Sequence, residues 1–467
     1  MASELGTASH PLRVAIVGSG PAGFYVAEHL LKQTDVQIRI DMFDRLPTPF
    51  GLVRFGVAPD HPKIKSVTRV FDKIARNPAF RFYGNLEIGK DVTLPELEEH
   101  YHQVCFSTGA QTDRQMGIPG EDLPRSHAAT EFVAWYNGHP DYRDYEFDLT
   151  AERVAVVGVG NVAVDVARIL AKTPDELAST DIADHALQAL RKSKVREVTM
   201  LGRRGPAQAA FTNPEVRELG ELEGADIRVL DTEVHLDPIS QAELDASDDD
   251  TLKKKVAILQ EFAQHQRAGK SRLLTLRFLV SPVELIAGSD GGVRGMRLAR
   301  NEIYSDGGKL QSRSTGELEE LPVDLVFRSV GYRGVPIAGL PFHEGSGVIP
   351  NVLGRVTDLA TSRPLPGKYV SGWIKRGPSG VIGTNKKDGT ETATGMLEDA
   401  AGSSVLSPSR PDPAAIDAVV RSRRADLVTY EDWIRLDAVE VARGVREGRP
   451  RYKLTTRAEV KEALAGG

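Results

Sequence analysis

The segment from Leu12 to Leu31 constrains the fold of this chain more than any other. A β-branched apolar run, Leu12–Val17, enters the loop Gly18-Ser19-Gly20-Pro21-Ala22-Gly23, and Phe24–Leu31 leaves it with apolar residues at helical spacing. Gly18 permits the tight turn, and Gly20 lets the main chain approach a pyrophosphate. Gly23 allows the helix to pack closely on the strand, so that phosphates sit at the positive helix N-terminus. The next strand, Gln37–Asp44, ends in an acid suited to a ribose hydroxyl. The glycines alone could be a turn in an ordinary βαβ unit. Strand, loop, helix, strand and terminal acid in that order point to a bound dinucleotide.

The pattern recurs. Val154–Val157 enters Gly158-Val159-Gly160-Asn161-Val162-Ala163, and an apolar helix follows through Leu170. Ala163 replaces the third glycine and is still small enough for close packing. Here the return strand, Glu197–Gly202, ends in Arg203-Arg204 rather than an acid. An acid would bond the 2′-hydroxyl of NAD, whereas paired guanidinium forks suit a 2′-phosphate. The expected nucleotide is NADP. A solvated basic turn is the alternative.

A chain of 467 residues holds two or more full domains. Hydrophobic residues make up 40% and charged residues 27%, and no apolar run approaches the ~20 residues of a membrane helix. The net charge of -6 argues against a nucleic-acid-binding surface. Residues 1–10 show neither a signal nor a transit pattern, so a cytoplasmic location is expected. No coiled-coil stripe demands an oligomer, and a monomer is expected. Cys105 is the only cysteine, which excludes an internal disulfide, a CxxC redox pair and a cysteine-ligated cluster or zinc. Its apolar setting reads as a buried strand. Any redox chemistry must therefore rest on an organic cofactor, and no metal is expected.

Between the two units lies Leu46–Lys63, rich in proline, glycine and apolar side chains, which suits packing against a flat ligand. Helical spacing is expected over Ile64–Ala75, and short strands at Phe80–Phe82 and Leu86–Ile88. Lys172–Arg196 reads as peripheral helix, and residues 232–270 as solvated helix or loop. A hairpin is expected around Asp290-Gly291-Gly292. The runs at Cys105–Ala110 and Val323–Gly334 parallel each other and read as two crossings between domains. The glycine-rich run Arg376–Asp388 opens a further helix whose N-terminus could face an anion. The tail beyond Pro411 is charged and helical, without features that suggest chemistry.

Two dinucleotide units in one chain suggest two nucleotides, one of them a flavin. Taken together, Gly18–Gly23, Leu46–Lys65, Gly160-Asn161-Val162, Gly202–Pro206, Ser329–Gly334 and Trp373–Asp388 resemble the adrenodoxin-reductase-type ferredoxin–NADP⁺ reductases. The likeness is greatest to actinobacterial members and covers about residues 12–400. It implies a three-layer α/β architecture of two Rossmann-like domains: an FAD-binding domain split over 1–110 and 331–467, the latter with a helical tail, and an NADP-binding domain inserted at 111–330.

The resemblance places FAD at Ala22, Asp44, Leu52, Val92, Trp373 and Gly380-Val381-Ile382. NADP falls at Arg114, Val159–Val162, Arg203, Arg204 and Glu215, with Gly380 beside the nicotinamide. His61 and, less directly, Glu218 are implied in proton handling or nicotinamide positioning, although a lone loop histidine is more often structural. The implied activity is hydride transfer from NADPH to FAD, then single-electron transfer to an acidic iron–sulfur ferredoxin. Such a partner needs a basic surface, for which Lys253–Lys255, Arg267, Lys270 and Arg272 are candidates. Two rivals remain: an NADPH-dependent quinone or small-acceptor reductase, and a non-catalytic FAD/NADP sensor. The nicotinamide-side segment Trp373–Lys387 speaks against the sensor.

Overall fold

The computed structural model describes residues 5–466. Four strands open the chain: β1 (Leu12–Val17), β2 (Ile38–Phe43), β3 (Phe80–Tyr83) and β4 (Gln103–Phe106). β5 (Thr112–Asp113) then leaves for a second sheet made of β6 (Ser126–Ala128), β7 (Arg153–Val157), β8 (Glu197–Leu201), β9 (Ala225–Val229) and β10 (Arg272–Arg277). An appended antiparallel unit follows, β11 (Val280–Ala287), β12 (Val293–Asp306) and β13 (Lys309–Pro322). The chain returns through β14 (Leu325–Arg328) and β15 (Tyr332–Arg333) to β16 (Asn351–Val352), β17 (Arg355–Thr357) and β18 (Pro364–Val370).

The first sheet runs β16-β17-β18-β4-β1-β2-β3, and the second β6-β14-β7-β8-β10-β9. The second is parallel throughout, and the first is parallel from β18 to β3. The first sheet therefore draws strands from both ends of the chain, around the sheet built by its middle. β5 and β15 pair antiparallel as a two-stranded ribbon where the chain crosses between them. Each parallel sheet is buried, which is why its strands read as continuous apolar runs. Cys105 lies fully buried on β4, where burial pushes its thiol up to about 12.

Two local expectations need correction, and the expected hairpin is extended. Residues 86–88 form no strand, only isolated bridges at Gly84 to Val428 and Ile88 to Val92. The helix expected over 64–75 comes in two pieces, Pro62–Lys65 and Thr68–Ala75. The appended unit is also far longer than a simple hairpin. Its β13 is polar or charged over most of its length and has no buried residue, so no apolar alternation announces it. The tail is no mere appendage either: Trp433 and Leu436 of the helix Tyr430–Arg446 enter the first sheet's core, and fully buried Glu440 grips Arg54 through both guanidinium nitrogens at 2.9 and 2.5 Å.

The first sheet also buries a charge. Asp41 on β2 accepts Arg13 Nη2 at 2.7 Å, Tyr101 OH at 2.6 Å and Arg81 Nε at 2.6 Å. Arg13 and Asp41 are each 2% exposed, so removing one partner strands the other in a dry interior. Asp41→Ala should lower stability by about 3–5 kcal/mol in urea unfolding; a loss under about 1 kcal/mol would show that Arg13 finds another partner.

Candidate functional site

At the end of β1 the main chain of the glycine loop is pressed against the end of β4. Gly18 has φ +104°, and a Cβ there would lie 2.5 Å from Ser107 O. A Cβ on Gly23 would lie 2.4 Å from Gly18 O, whereas one on Gly20 would project into open space. That opening sits at the start of the helix Pro21–Leu31, whose N-cap Gly20 supplies no side-chain cap and whose first turn has no acid. The unsatisfied N–H groups can therefore take an anion. Asp44, just past β2, accepts Ser19 N at 2.8 Å and Ser19 Oγ at 2.5 Å, and so joins the strand end to the loop.

Two distant segments close over this cradle. Phe50 N donates to Ser19 O at 3.0 Å, and Gly51, φ +49°, comes so close that a Cβ would lie 3.0 Å from Gly20 Cα. This folds the Leu46–Lys63 loop back on the glycines and leaves Leu52 38% exposed. From the other side, Gly372 (φ +80°) rests against Ala22, with room for no Cβ: one would lie 2.6 Å from Ala22 Cβ. The buried Asp388 carboxylate accepts the Gly372 N–H and pairs with Lys375 Nζ at 2.8 Å. Trp373 packs its ring 5.3 Å from Tyr332 and donates its indole N–H to Ser379 O. Gly380 and Val381 then lie exposed ahead of the helix Thr384–Ala401, whose N-terminus lacks a side-chain cap. Exposed Leu52 and Val381 are the kind of apolar surface a flat ring covers.

The second cradle repeats the first. Gly158 has φ +132°, and a Cβ would lie 2.2 Å from Ser329 O, while Gly160 faces open space at the N-cap of Asn161–Ala171. Val159 O accepts the N–H groups of Ala210 and Phe211, and Asn161 Oδ1 accepts Thr212 N at 2.9 Å. Val162 is partly buried against the core beside them. Beyond β8, Arg203 is exposed and Arg204 half-buried. Among the described residues neither guanidinium has a carboxylate partner. Burial, and then Arg203 beside it, lowers the Arg204 pKa. Two adjacent unpaired cations are a site for an anion.

Between the cradles a cluster of charges spans the two sheets' territories. His61, from the loop after Gly51, meets Glu218 Oε2 through Nε2 at 2.9 Å. Arg168 Nη2 lies 2.9 Å from the same oxygen and also pairs with Asp60 and Asp165. His61 Nδ1 faces Asp165 at 4.0 Å, and Nε2 faces Glu215 Oε2 at 4.0 Å. Burial disfavours a charged His61, but the Glu218 hydrogen bond and the Asp165 field outweigh it and raise the imidazole pKa. Asp165, buried and near Glu215, is pushed up to about 7. Burial likewise raises Glu215, whose Oε2 has no hydrogen-bond partner. Glu218 moves the other way: His61 and Arg168 overcome its burial and lower its pKa. Carboxylates pushed apart in this way, around a histidine, make this cluster a candidate for proton handling. The cluster opens on a cavity of about 410 Å³ lined by Asp60, His61, Arg168, Lys172, Glu176 and Glu218 among others. Glu215, Glu218 and His61 also converge within 4.8 Å, with Arg168 already supplying positive charge to Glu218.

Known proteins resemble this chain in sequence and fold. The sequence profile of the pyridine nucleotide-disulphide oxidoreductases matches residues 12–205. The chain is 48% identical over 459 residues to NADPH-ferredoxin reductase FprA of Mycobacterium tuberculosis, covering 96% of this chain and 98% of the relative. It belongs to the NADPH–ferredoxin reductase family. The human mitochondrial NADPH:adrenodoxin oxidoreductase is 43% identical over 465 residues, covering 97% of this chain and 92% of the relative. The solved structure of Mycobacterium tuberculosis FprA in complex with NADPH superposes with a TM-score of 0.91 at 45% identity, over 98% of this chain and all of that one.

The reductase thus brings Gly18, Gly20, Ala22, Gly23, Asp44, Leu52, Trp373 and Gly380–Ile382 around one cradle, and Val159–Val162, Arg203 and Arg204 around the other. Arg114 lies just past β5 at the crossing ribbon, with its N–H on Gly331 O and its guanidinium 3.3 Å from Ser346 O. Val92 has its side chain wholly buried in the core, so any contact it makes with a ligand is through its main chain. Of the basic candidates, Lys253, Lys254 and Arg267 are exposed, while the other three are engaged by main-chain carbonyls. Lys255 Nζ donates to Ala209 O, Lys270 Nζ to Leu222 O, and Arg272 to Val195 O and Lys172 O, so they brace the inserted sheet. Asp60, Asp165, Arg168 and Asp388 went unread. Asp165 and Arg168 did leave a signal, as two charges three residues apart inside an otherwise apolar helix. Among the described residues no helix is long and apolar enough to cross a membrane.

With the Glu218 carboxylate gone, burial should dominate at His61. Glu218→Gln is expected to lower the pH at which the imidazole deprotonates, read by histidine NMR titration. An unchanged or raised midpoint would show that Asp165 alone governs the ring.

Proposed function

We propose that this reductase takes two electrons from NADPH and passes them singly to an acidic iron–sulfur ferredoxin, with FAD as intermediary. What carries the reading is the pair of glycine cradles, one of which ends in two unpaired arginines instead of an acid. FAD would lie on Gly18, Gly20, Ala22 and Gly23, with Asp44 at its ribose and Leu52, Trp373 and Gly380–Ile382 around its ring, in a domain of residues 1–110 and 331–467. The NADP(H) pyrophosphate would lie on Val159–Val162 and its 2′-phosphate on Arg203 and Arg204, in the inserted domain 111–330, with Glu215 at the ribose and Arg114 at the crossing. Bound FAD supplies the conversion between hydride and single-electron chemistry. The chain's part is to hold the two rings in register, which is most of what hydride transfer requires.

Ferredoxin accepts electrons only, so each NADPH consumed leaves a proton to be released. His61 holds that proton at Nε2, and Glu218, accepting from the same atom, leads it toward the cavity beside Asp60 and Lys172. Arg168 keeps Glu218 ionised for the task, which its lowered pKa supports. We further propose that the protein works as a monomer in the cytoplasm.

Anaerobic stopped-flow mixing tests the reading. NADPH should bleach the flavin band faster than NADH, and oxidised ferredoxin should restore it. Bleaching that ferredoxin fails to reverse would point to another acceptor, and no bleaching would end the enzyme reading. Replacing both Arg203 and Arg204 by Ala removes two charge-assisted contacts, so KM for NADPH should rise by about 30-fold or more. A rise under about threefold would move the 2′-phosphate elsewhere.

A further inference from the structure

The three-stranded unit β11–β13 has no place in a minimal dinucleotide fold, yet it touches the one turn that would choose the nucleotide. Three consecutive carbonyls of that turn are held from it or from its entry. Gly202 O accepts Val280 N at 3.1 Å, and Arg204 O accepts Leu279 N at 3.1 Å. Arg203 O, between them, accepts Asn301 Nδ2 at 2.8 Å. The same Asn301 amide donates to Ser281 Oγ at 2.7 Å, and its own N–H bonds Leu279 O at 2.8 Å. Asn301 thus ties β12 to the entry of β11 and to the arginine turn at once. The local geometry is built for this. Leu279 takes φ +57°, a conformation most side chains avoid, and the β12–β13 register shifts between Ala299 and Asn301.

Two adjacent guanidinium groups without carboxylate partners repel each other, and an unbraced turn would splay them. Holding all three carbonyls fixes the main chain so that both side chains leave it in set directions before any anion arrives. Two of the three tethers come from main-chain N–H groups. The middle one, under Arg203 itself, comes from a side chain.

We infer that Asn301 is a positioning residue for nucleotide choice, and that the β11–β13 unit is the buttress through which it braces Arg203 and Arg204 toward a 2′-phosphate. It touches no substrate itself. The inference rests on the reading of Arg203 and Arg204 as the 2′-phosphate site.

The test is steady-state kinetics of Asn301→Leu and Asn301→Asp with NADPH and with NADH on the same flavin-loaded preparation. Both variants lose the donor to Arg203 O, and the aspartate also sets an acceptor against it. KM for NADPH should rise about fivefold, the factor for one net hydrogen bond, with kcat within about twofold. KM for NADH should stay unchanged, since NADH has no 2′-phosphate. Inhibition by adenosine 2′,5′-bisphosphate should weaken in parallel, and inhibition by 5′-AMP should not. Equal losses with both nucleotides would reduce Asn301 to general support and overturn the inference, as would unchanged NADPH kinetics. A wild-type enzyme indifferent between NADPH and NADH would instead remove the arginine reading underneath it.

Discussion

Everything in this molecule hangs on two places where main chain touches main chain with no space for a Cβ. At Gly18 the glycine loop abuts the carbonyl of Ser107, and at Gly158 its counterpart abuts that of Ser329. Each carbonyl ends the strand along which the chain then crosses to the other sheet, β4 before β5 and β14 before β15. The contact that lets a helix N-terminus present bare N–H groups also fixes where the crossing begins. Because both cradles are stopped in this way, the ribbon of β5 and β15 springs from two fixed points.

The closing elements follow the same logic. Gly51 and Gly372 approach the first cradle from opposite sides, and each does so with a backbone conformation that suits glycine. Between the cradles the physics changes from sterics to charge. His61 is raised and Glu218 lowered by the same hydrogen bond, while Asp165 is raised by burial and by Glu215, and Glu215 by burial and by Glu218. One arginine, Arg168, holds Asp60, Asp165 and Glu218 together.

What could be read from the sequence was whatever obeys a short period or a fixed spacing. Both glycine turns, the strand ends at Asp44 and Arg203, and the buried Cys105 all belong to that class. The charge cluster belongs to it only in part: Asp165 and Arg168 are three residues apart, but Asp60, His61 and Glu218 are remote from them in the chain and meet them only once the two sheets pack. The cations Lys255, Lys270 and Arg272 mislead for the converse reason: a residue type suits a role, but nearby carbonyls decide it. β13 was invisible because a strand exposed on both faces needs no apolar alternation.

The charge cluster is shared between lobes. His61 and Asp60 come from the segment before the inserted sheet, while Asp165, Arg168, Glu215 and Glu218 come from around it. Domain exchange is therefore not a free operation here. A foreign dinucleotide-binding lobe grafted between residues 111 and 330 could bring its own phosphate loop and its own taste in nucleotides. It would still leave the imidazole without its carboxylate and Asp60 without its arginine. A chimera must carry Arg168 and Glu218 across with it, so the inserted lobe is inherited together with its seam.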